Sequence, residues 1–592
     1  MTAVQGRGSL PSGSLPHPAG LSLDIAAHIL ENGRRPRVRS PTSFQPLNVS
    51  SPETSDITSG DIGREIRDFD RRQERRRRIV PRAALVGALA GLVASAFRLT
   101  LEACNRARDG LFRFAHGLPA PWGLLLVLAV CGAGAGAALW LVRRFAPEAS
   151  GSGIPHLKAV LHRLRGMSWR RVLLVKFASG TLGIGSGLAL GREGPTVQMG
   201  GAVGQMVSGW LRSSARERHI LIAAGAGAGL AAAFNAPLAG VIFVLEELRR
   251  DFAPGALTGA FVASVTADVI VRLLTGQSPV FHVVNPPVPP LLSCLPLFLI
   301  LGGVAGLFGV VFNRALLGSL RLFQRTARWP LGLPAALVGV AVGLVGWFAP
   351  ETLGGGGVLV QATLGGKMGI AALAALLLLR FGMTMASYGT GAAGGIFAPL
   401  LVLGAQIGLL VGLVGQTAFP SAAGYGTSFA VVGMAALFTA IVRAPLTGIV
   451  LILEMTSSYP LMLPLLAACF TAYALADLLH DRPIYEALLE RDLLRGRRPG
   501  PAEPTAEGGH ATIFEVLIEE GAPFDGRRVA DLGLPPGCLL VALQRDGGDE
   551  VPSRDTVLHA GDRLTAVVAP TAAGCVDLLR HGADYRGTAP PD

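Results

Sequence analysis

Charged side chains are scarce in this sequence of 592 residues. Asp, Glu, Lys and Arg together make up 16% of the chain, half of the residues are apolar, and the mean hydropathy is +0.48. Soluble domains carry roughly 25% charged residues, so this composition excludes an ordinary soluble protein. The sequence predicts a polytopic membrane protein.

Cysteine and histidine are too scattered for several classes of site. The six cysteines show no paired spacing, which favours neither a disulfide framework nor a zinc site; they are Cys104, Cys131, Cys294, Cys469, Cys538 and Cys575. No histidine occurs between His282 and His480. An intramembrane hydrolase would therefore lack a credible general base, and we predict no enzyme, no metal and no cofactor.

The first 60 residues lack a signal peptide, because no compact apolar core precedes a small-residue cleavage site. Residues 1–78 are rich in Ser, Pro, Gly and Arg and are predicted to form a disordered cytoplasmic tail. Seven arginines lie between residues 71 and 82. They favour a cytoplasmic N-terminus and contact with anionic lipid. The net charge of +12 could suggest nucleic acid as a partner, but the basic residues lie where membrane orientation would place them, so we give that partner little weight.

Apolar runs near the length of a membrane span recur along the chain. They lie at about 83–103, 121–142, 172–190, 220–245, 255–275, 291–325, 332–349, 369–388, 397–419 and 461–479. Several are interrupted by Gly or Pro, which is tolerated at membrane depth where a segment is buried or lines a polar cavity. This pattern is typical of a transporter or channel.

Residues 191–195, the sequence GREGP, place a carboxylate inside this membrane region. The flexible Gly followed by Pro195 predicts a helix start, with Glu193 just ahead of it. Because the start of a helix attracts anions, the Glu193 carboxylate could compete there with a transported anion. The alternative is that Glu193 only caps its own helix.

Two further helix starts have the same form. Residues 151–155 read GSGIP, and residues 395–399 read GIFAP. Gly191, Pro195, Gly200 and Gly204 match Gly395, Pro399, Gly404 and Gly408 at an offset of 204, and the APLAG and APLTG segments beginning at 236 and 444 match at an offset of 208. The chain therefore contains an internal repeat of two halves with broken helices, a feature of transporters.

Beyond the membrane region, residues 498–508 are predicted to be a linker and residues 509–585 a small α+β domain. Short apolar runs at 538–543 and 564–568 lie between Gly and Asp turns, which indicates strands.

The three helix-start motifs resemble those of the CLC family of chloride channels and proton-coupled chloride exchangers. The resemblance extends from about residue 80 to residue 495. It implies an all-helical membrane protein with two halves, at about 79–275 and 290–497, inserted in opposite orientations, and a homodimer with an anion pathway in each subunit. The motif residues are Gly151, Gly153, Pro155, Gly191, Arg192, Gly194, Pro195, Gly395 and Pro399.

By this resemblance, the Ser152 hydroxyl and the Tyr485 phenol would donate hydrogen bonds to a central chloride. The backbone N–H groups of Ile396 and Phe397 would complete its coordination without a charged side chain. Relatives that prefer nitrate carry Pro in place of this serine, so chloride is the expected anion. Without the family, Ser152 is more often a cap or packing residue and Tyr485 an interfacial aromatic.

Glu193 resembles the external gating glutamate of the family, and Glu247 lies where its exchangers keep an internal proton-transfer acid. The resemblance therefore implies a secondary antiporter exchanging chloride for protons, with a passive voltage- or pH-gated chloride channel as the alternative. On chemistry alone, Glu246 and Glu247 followed by Arg249 and Arg250 could instead form a salt-bridged helix end at the membrane surface.

His156 departs from the family, which usually has an acid at this position, and is interpreted as an ordinary solvated histidine. The C-terminal domain is similar to the ligand-binding C-terminal subdomain of potassium-transport regulators. That similarity leaves two roles open, a regulatory site for a small molecule and a passive dimerising cap. We expect a bacterial cytoplasmic membrane protein with both termini in the cytoplasm.

Overall fold

The structure is a computed structural model that describes residues 59–119, 121–250, 253–276, 281, 290–366, 368–496, 512–545, 548–569, 572 and 574–583. The chain divides into two units, residues 1–78 and residues 79–592. Residues 1–58 of the predicted tail and the predicted linker at 498–508 lie outside the described residues. Residues 59–78 are helical, so the prediction of disorder is wrong for this segment, whose Arg, Glu and Gln content suits a helix.

The first half of the membrane region consists of helices. They are α1 Ser59–His116, α2 Trp122–Phe145, α3 Ile154–Leu161, α4 Trp169–Gly185, α5 Glu193–Trp210, α6 Ala215–Phe234, α7 Pro237–Phe243 and α8 Pro254–Thr275. A single π-helical turn, Val244–Arg249, continues α7.

The second half has the same character. Its helices are α9 Leu291–Gln324, α10 Leu333–Phe348, α11 Gly357–Leu364, α12 Ile370–Gly389, α13 Phe397–Ala418, α14 Gly426–Val442, α15 Pro445–Thr456, α16 Met462–Leu478 and α17 Ile484–Gly496. Within the described part of the chain, seven helices are long and apolar enough to cross a bilayer.

The apolar run predicted at 220–245 is two helices rather than one. α6 ends at Phe234, the next residue Asn235 has a left-handed φ of 53°, and α7 begins at Pro237. Proline cannot supply the N–H that would continue a helix, so the chain breaks there. The equivalent break precedes Pro445 at Arg443, with a φ of 66°. It separates α14 from α15, two short helices that were missing from the predicted runs.

The two halves meet at the repeat residues Gly191 and Gly395. The N–H of each residue donates to the carbonyl of the other at 2.7 Å in an antiparallel bridge. An antiparallel pair of equivalent residues has a local two-fold axis, so the two segments run in opposite directions. The two repeat segments are thus related by a local two-fold axis at their junction, which agrees with the predicted inverted repeat.

A second symmetric contact joins α7 and α15. The Glu246 carboxylate accepts hydrogen bonds from the N–H groups of Leu446 and Thr447 at 3.0 and 2.7 Å. The Glu454 carboxylate accepts from those of Leu238 and Ala239 at 3.1 and 2.8 Å. Each half therefore supplies the carboxylate that caps a helix of the other half.

The C-terminal domain contains an antiparallel sheet. Its strands are β1 Thr512–Leu517, β2 Cys538–Arg545, β3 Gly548–Glu550 and β4 Arg563–Val568, in the order β1-β4-β2-β3, and helix α18 Gly574–Ala583 follows. The described helices and strands confirm the predicted fold class, an all-helical membrane region with a small α+β domain.

One ion pair fixes the turn before β4. The Asp562 carboxylate is 1% exposed and accepts hydrogen bonds from Arg545 Nε at 2.8 Å and from the His559 N–H at 2.8 Å. Burial acts to raise the pKa of Asp562, but the hydrogen bonds from Arg545 and His559 outweigh it and lower that pKa below its ordinary value.

A disulfide joins Cys538 at the start of β2 to Cys575 on α18, with Cα atoms 6.5 Å apart and a separation of 37 positions in sequence. The expectation that no cysteines pair is therefore wrong for these two. Spacing alone could not show the pair, because the fold of the sheet brings the two residues together.

Candidate functional site

The starts of α3, α5 and α13 converge at the junction of the halves. The Gly394 N–H donates to the Gly151 carbonyl at 2.9 Å, next to the Gly191–Gly395 bridge. A Cβ atom on Gly194 would lie 2.9 Å from the Ser152 carbonyl oxygen and 3.0 Å from the Gly395 Cα. All three helix-start motifs thus contribute backbone to one point, and only glycine allows segments to approach this closely.

The loop before α3 depends on glycine for a second reason. Gly151 and Gly153 have φ angles of 59° and 82°, both left-handed. A Cβ on Gly153 would also lie 2.1 Å from the Gln198 side-chain oxygen. Pro155 lies in the first turn of α3, as Pro195 and Pro399 do in α5 and α13.

Glu193 is the first residue of α5 and is 4% exposed. Its Oε2 accepts a hydrogen bond from the Ala398 N–H at 3.3 Å, at the start of α13 in the opposite half. The carboxylate thus lies at the N-terminus of a second helix, where backbone N–H groups favour an anion. A cap confined to its own helix does not describe this position.

Arg192 immediately precedes Glu193. Its guanidinium donates a hydrogen bond to the Ala233 carbonyl at 3.2 Å, near the end of α6. This contact anchors the motif to α6.

Ser152 and Tyr485 come from distant parts of the sequence and are 1% and 0% exposed. The Tyr485 ring stacks on Phe397 with centroids 6.2 Å apart, so it lies against the first residue of α13. Its hydroxyl has no hydrogen-bond partner among the described residues. A buried phenol O–H of this kind suits a donor to an anion.

Ser152 also has a local role. Its Oγ accepts a hydrogen bond from the Ile154 N–H at 3.4 Å, a long local contact across the loop just before α3. The hydroxyl hydrogen is left for another acceptor, because a serine hydroxyl accepts and donates at the same time. The local hydrogen bond and the donation of a hydrogen bond to an anion are therefore compatible at Ser152.

Tyr388, at the end of α12, was missed by the sequence analysis. It is 4% exposed and lines the same cavity as Ser152. A Cβ on Gly151 would lie 3.0 Å from its phenol oxygen. In the sequence, Tyr388 is only an aromatic residue shortly before the motif at residues 395–399. That position by itself does not indicate a contact with residue 152.

A cavity of about 1020 Å³ reaches Ser152 and Tyr388. Its charged and titratable lining side chains are Arg143, Glu148, His156, Arg165, Arg491 and Asp492. Arginines outnumber acids in this lining, which favours the entry of anions. His156 is 8% exposed and its Nδ1 lies 3.3 Å from Gln198 Nε2, so the interpretation of a solvated histidine is wrong.

Glu247 lies on the π-helical turn after α7 and is 1% exposed. Its Oε1 accepts a hydrogen bond from Lys158 Nζ at 2.7 Å. Arg250 pairs with Glu486 instead, and Glu246 caps α15. The alternative of a salt-bridged helix end at the surface is therefore wrong for Glu247.

Sequence profiles match both parts of the chain. The profile described as "Voltage gated chloride channel" matches residues 131–477, and that of the "TrkA-C domain" matches residues 513–574.

Two relatives that are similar to this chain over most of their length are both described as exchange transporters. The H(+)/Cl(-) exchange transporter ClcA of Vibrio cholerae is 42% identical over 69% of this chain and 88% of its own length. The protein of that name from Salmonella arizonae is 40% identical over 73% of this chain and 92% of its own.

Solved structures agree. A slow cyanobacterial Cl-/H+ antiporter is 36% identical, with a TM-score of 0.68 over 71% of this chain and 99% of its own. A eukaryotic CLC transporter, at 23% identity over 70% of this chain and 74% of its own, shares the fold with a TM-score of 0.60. With its three converging helix starts and a family profile over more than half its length, the chain belongs to the voltage-gated chloride channel family, CLC.

Proposed function

We propose that this protein is a secondary active antiporter that exchanges chloride for protons across the membrane. The observation that carries the proposal is the Glu193 carboxylate, which lies 3.3 Å from the Ala398 N–H at a helix start of the opposite half. An ionised carboxylate there occupies a place that suits an anion. When the carboxylate takes up a proton it loses its charge, and chloride can replace it.

The central chloride is held by neutral donors. These are the hydroxyls of Ser152 and Tyr485 and the backbone N–H groups of Ile396 and Phe397, which belong to the same helix start as Ala398. Neutral donors bind an anion firmly enough to admit it and weakly enough to release it. Because Ser152 is the residue that distinguishes chloride-selective relatives, chloride is the proposed physiological anion.

Glu247 is the internal proton-transfer acid. Its burial and its ion pair with Lys158 set it apart from a surface carboxylate. An ionisable group held at this depth is a functional candidate in its own right. The acid favours exchange over the alternative, a passive voltage- or pH-gated chloride channel, and the relatives described as exchange transporters support the same choice.

Further parts of the proposal follow from the family and from the charge pattern. The protein works as a homodimer in a bacterial cytoplasmic membrane with both termini in the cytoplasm, and it has no enzymatic activity. The membrane domain spans residues 79–497, in halves of about 79–275 and 290–497. For the domain at 509–585 the proposal is a regulatory site for a small molecule, with a passive dimerising cap as the alternative. The arginines at 71–82 are proposed to contact anionic lipid.

Uphill proton movement tests the proposal. Purified protein is reconstituted in liposomes with high internal chloride, and K+ with valinomycin sets a voltage that opposes passive proton entry. Chloride efflux through an antiporter then drives protons inward, and the external pH rises. A channel releases chloride without this pH change, which would refute exchange.

Two substitutions assign the carboxylates. Glu193→Gln and Glu247→Gln should each abolish proton movement while chloride still flows, because glutamine cannot carry a proton. Glu351→Gln is the matched control, since Glu351 is exposed on the turn before α11. Persistent coupling in either of the first two variants would remove that residue from the proton pathway.

A further inference from the structure

Lys158 is a buried cation that the proposed mechanism does not yet use. Its Nζ lies 2.7 Å from Glu247 Oε1, and the two side chains are 4% and 1% exposed. A buried ion pair of this kind is weak evidence for a stabilising role, because desolvation offsets the attraction between the charges. Its position on a candidate proton carrier points to another role.

Lys158 differs from the other charged groups near Glu247 in its direct contact with the carboxylate. The other charged or titratable groups near the pair are His162 on α3, Arg249 and Arg250 on the turn of Glu247, and Tyr485 and Glu486 on α17. Arg250 is paired with Glu486, and within the part of the chain that the structure describes no hydrogen bond reaches the second Glu247 oxygen, Oε2. Lys158 therefore provides the direct electrostatic contact to this carboxylate.

Lys158 also connects the candidate chloride site with the candidate proton carrier. It lies on α3, the helix that begins just after Ser152, whereas Glu247 lies on the turn after α7. The ion pair thus joins the helix that carries a chloride ligand to the acid that carries the proton. A change in the charge of Glu247 acts directly on α3.

We propose that Lys158 is a positioning residue that keeps Glu247 ionised between proton transfers and couples the charge of Glu247 to the chloride-binding start of α3. The inference rests on the proposed antiport function. In each cycle the Glu247 carboxylate accepts one proton delivered from hydronium in the internal solution, which leaves water there; Glu247 becomes a neutral carboxyl and loses its attraction to Lys158. When that proton leaves towards Glu193, the carboxylate is restored and the ion pair re-forms.

The lysine is needed because an unpaired buried carboxylate neutralises itself. Without the ammonium group, Glu247 would hold its proton, since the charged form would have neither water nor a cation to stabilise it. A carboxyl that is already protonated cannot accept the next proton. Removing the charge of Lys158 should thus resemble removing the acid.

Lys158→Met tests this inference, because methionine keeps an unbranched side chain without the charge, and Lys158→Arg is the charge-retaining control. In the liposome assay, Lys158→Met should reduce proton flux about tenfold or more while chloride flux stays within about threefold. Lys158→Arg should keep the ratio of the two fluxes within about twofold of the wild type. In a Glu247→Gln background, Lys158→Met should change neither flux further.

The opposite outcomes are distinct. Parallel loss of chloride and proton flux in well-folded Lys158→Met, judged by size-exclusion chromatography, would indicate a structural lysine and overturn the inference. An unchanged flux ratio would overturn it as well. If Lys158→Met does not fold, the test uses the double variant Lys158→Met with Glu247→Gln, because this variant leaves neither charge of the ion pair buried without its partner. Fluxes that differ from those of Glu247→Gln alone would overturn the inference. Failure of the wild type to move protons uphill would instead refute the proposed function.

Discussion

The Ser152 hydroxyl is shared between two chemical tasks at the residue scale. Its oxygen accepts a hydrogen bond from the Ile154 N–H at 3.4 Å, and the Tyr388 phenol of α12 lies beside the same loop. Tyr485 approaches the start of α13 from α17. Two phenols and one serine thus surround the candidate anion site, and none of them brings a formal charge that would trap the ion.

We predict that Tyr388→Phe weakens chloride binding. The substitution keeps the ring but removes the phenol oxygen that lies beside the Gly151–Ser152 loop. If that oxygen supports the loop with one neutral hydrogen bond, worth about 0.5–1.5 kcal/mol, the dissociation constant should rise roughly twofold to tenfold. Isothermal titration of chloride into the detergent-solubilised protein measures this change. Tyr459→Phe, at a residue that is 63% exposed, is the control. An unchanged dissociation constant in Tyr388→Phe would rule out this positioning role.

At the scale of elements, glycine sets how closely the helices pack. A Cβ on Gly200 or Gly204 of α5 would lie 2.1 Å from a backbone oxygen of α6. On Gly404 or Gly408 of α13 it would lie 2.6 or 2.0 Å from a backbone oxygen of α14. Small residues let membrane helices approach to this distance. The glycines that reveal the repeat in the sequence are thus explained by the same contact made twice.

Gly204→Ala should destabilise the membrane region although alanine is the better helix former. The new methyl group would lie 2.1 Å from the Leu221 carbonyl oxygen, so α5 and α6 must separate, and such overpacking costs about 1–3 kcal/mol. Gly209→Ala in the same helix meets no atom within 4 Å and should be neutral or slightly stabilising. Thermal unfolding followed by size-exclusion chromatography compares the two. Equal melting temperatures would contradict the packing role of Gly204.

At the scale of the whole molecule, local patterns were readable and distant contacts were not. The Gly-x-x-x-Pro pattern placed the starts of α5 and α13 within a residue or two, because it acts through neighbouring backbone. The ion pair of Lys158 with Glu247 joins residues 89 positions apart. Nothing in a single sequence reports such proximity. The site was therefore predicted through its motifs, whereas the contacts that Lys158 and Tyr388 make required the fold.

The internal repeat also predicts that equivalent contacts in the two halves contribute similar free energies to stability. Glu246 and Glu454 each accept two backbone N–H groups from a helix start in the opposite half, at distances from 2.7 to 3.1 Å. The two carboxylates occupy equivalent positions of the repeat. Their contributions to stability should therefore be similar, with a small excess for Glu246, which also accepts from the Thr447 hydroxyl at 2.7 Å.

Glu454→Gln and Glu246→Gln should each lower the free energy of unfolding by about 1–2 kcal/mol, because a glutamine amide places a donor against a backbone N–H and removes the charge that the helix start favours. The double variant should lose about the sum of the two effects, since each carboxylate caps a different helix. Thermal unfolding of the three variants measures this. Glu351→Gln, at an exposed carboxylate outside these contacts, controls for loss of charge alone. If one substitution were silent and the other severe, the two caps would be energetically unequal, and the inverted repeat would be symmetric in geometry without being symmetric in stability.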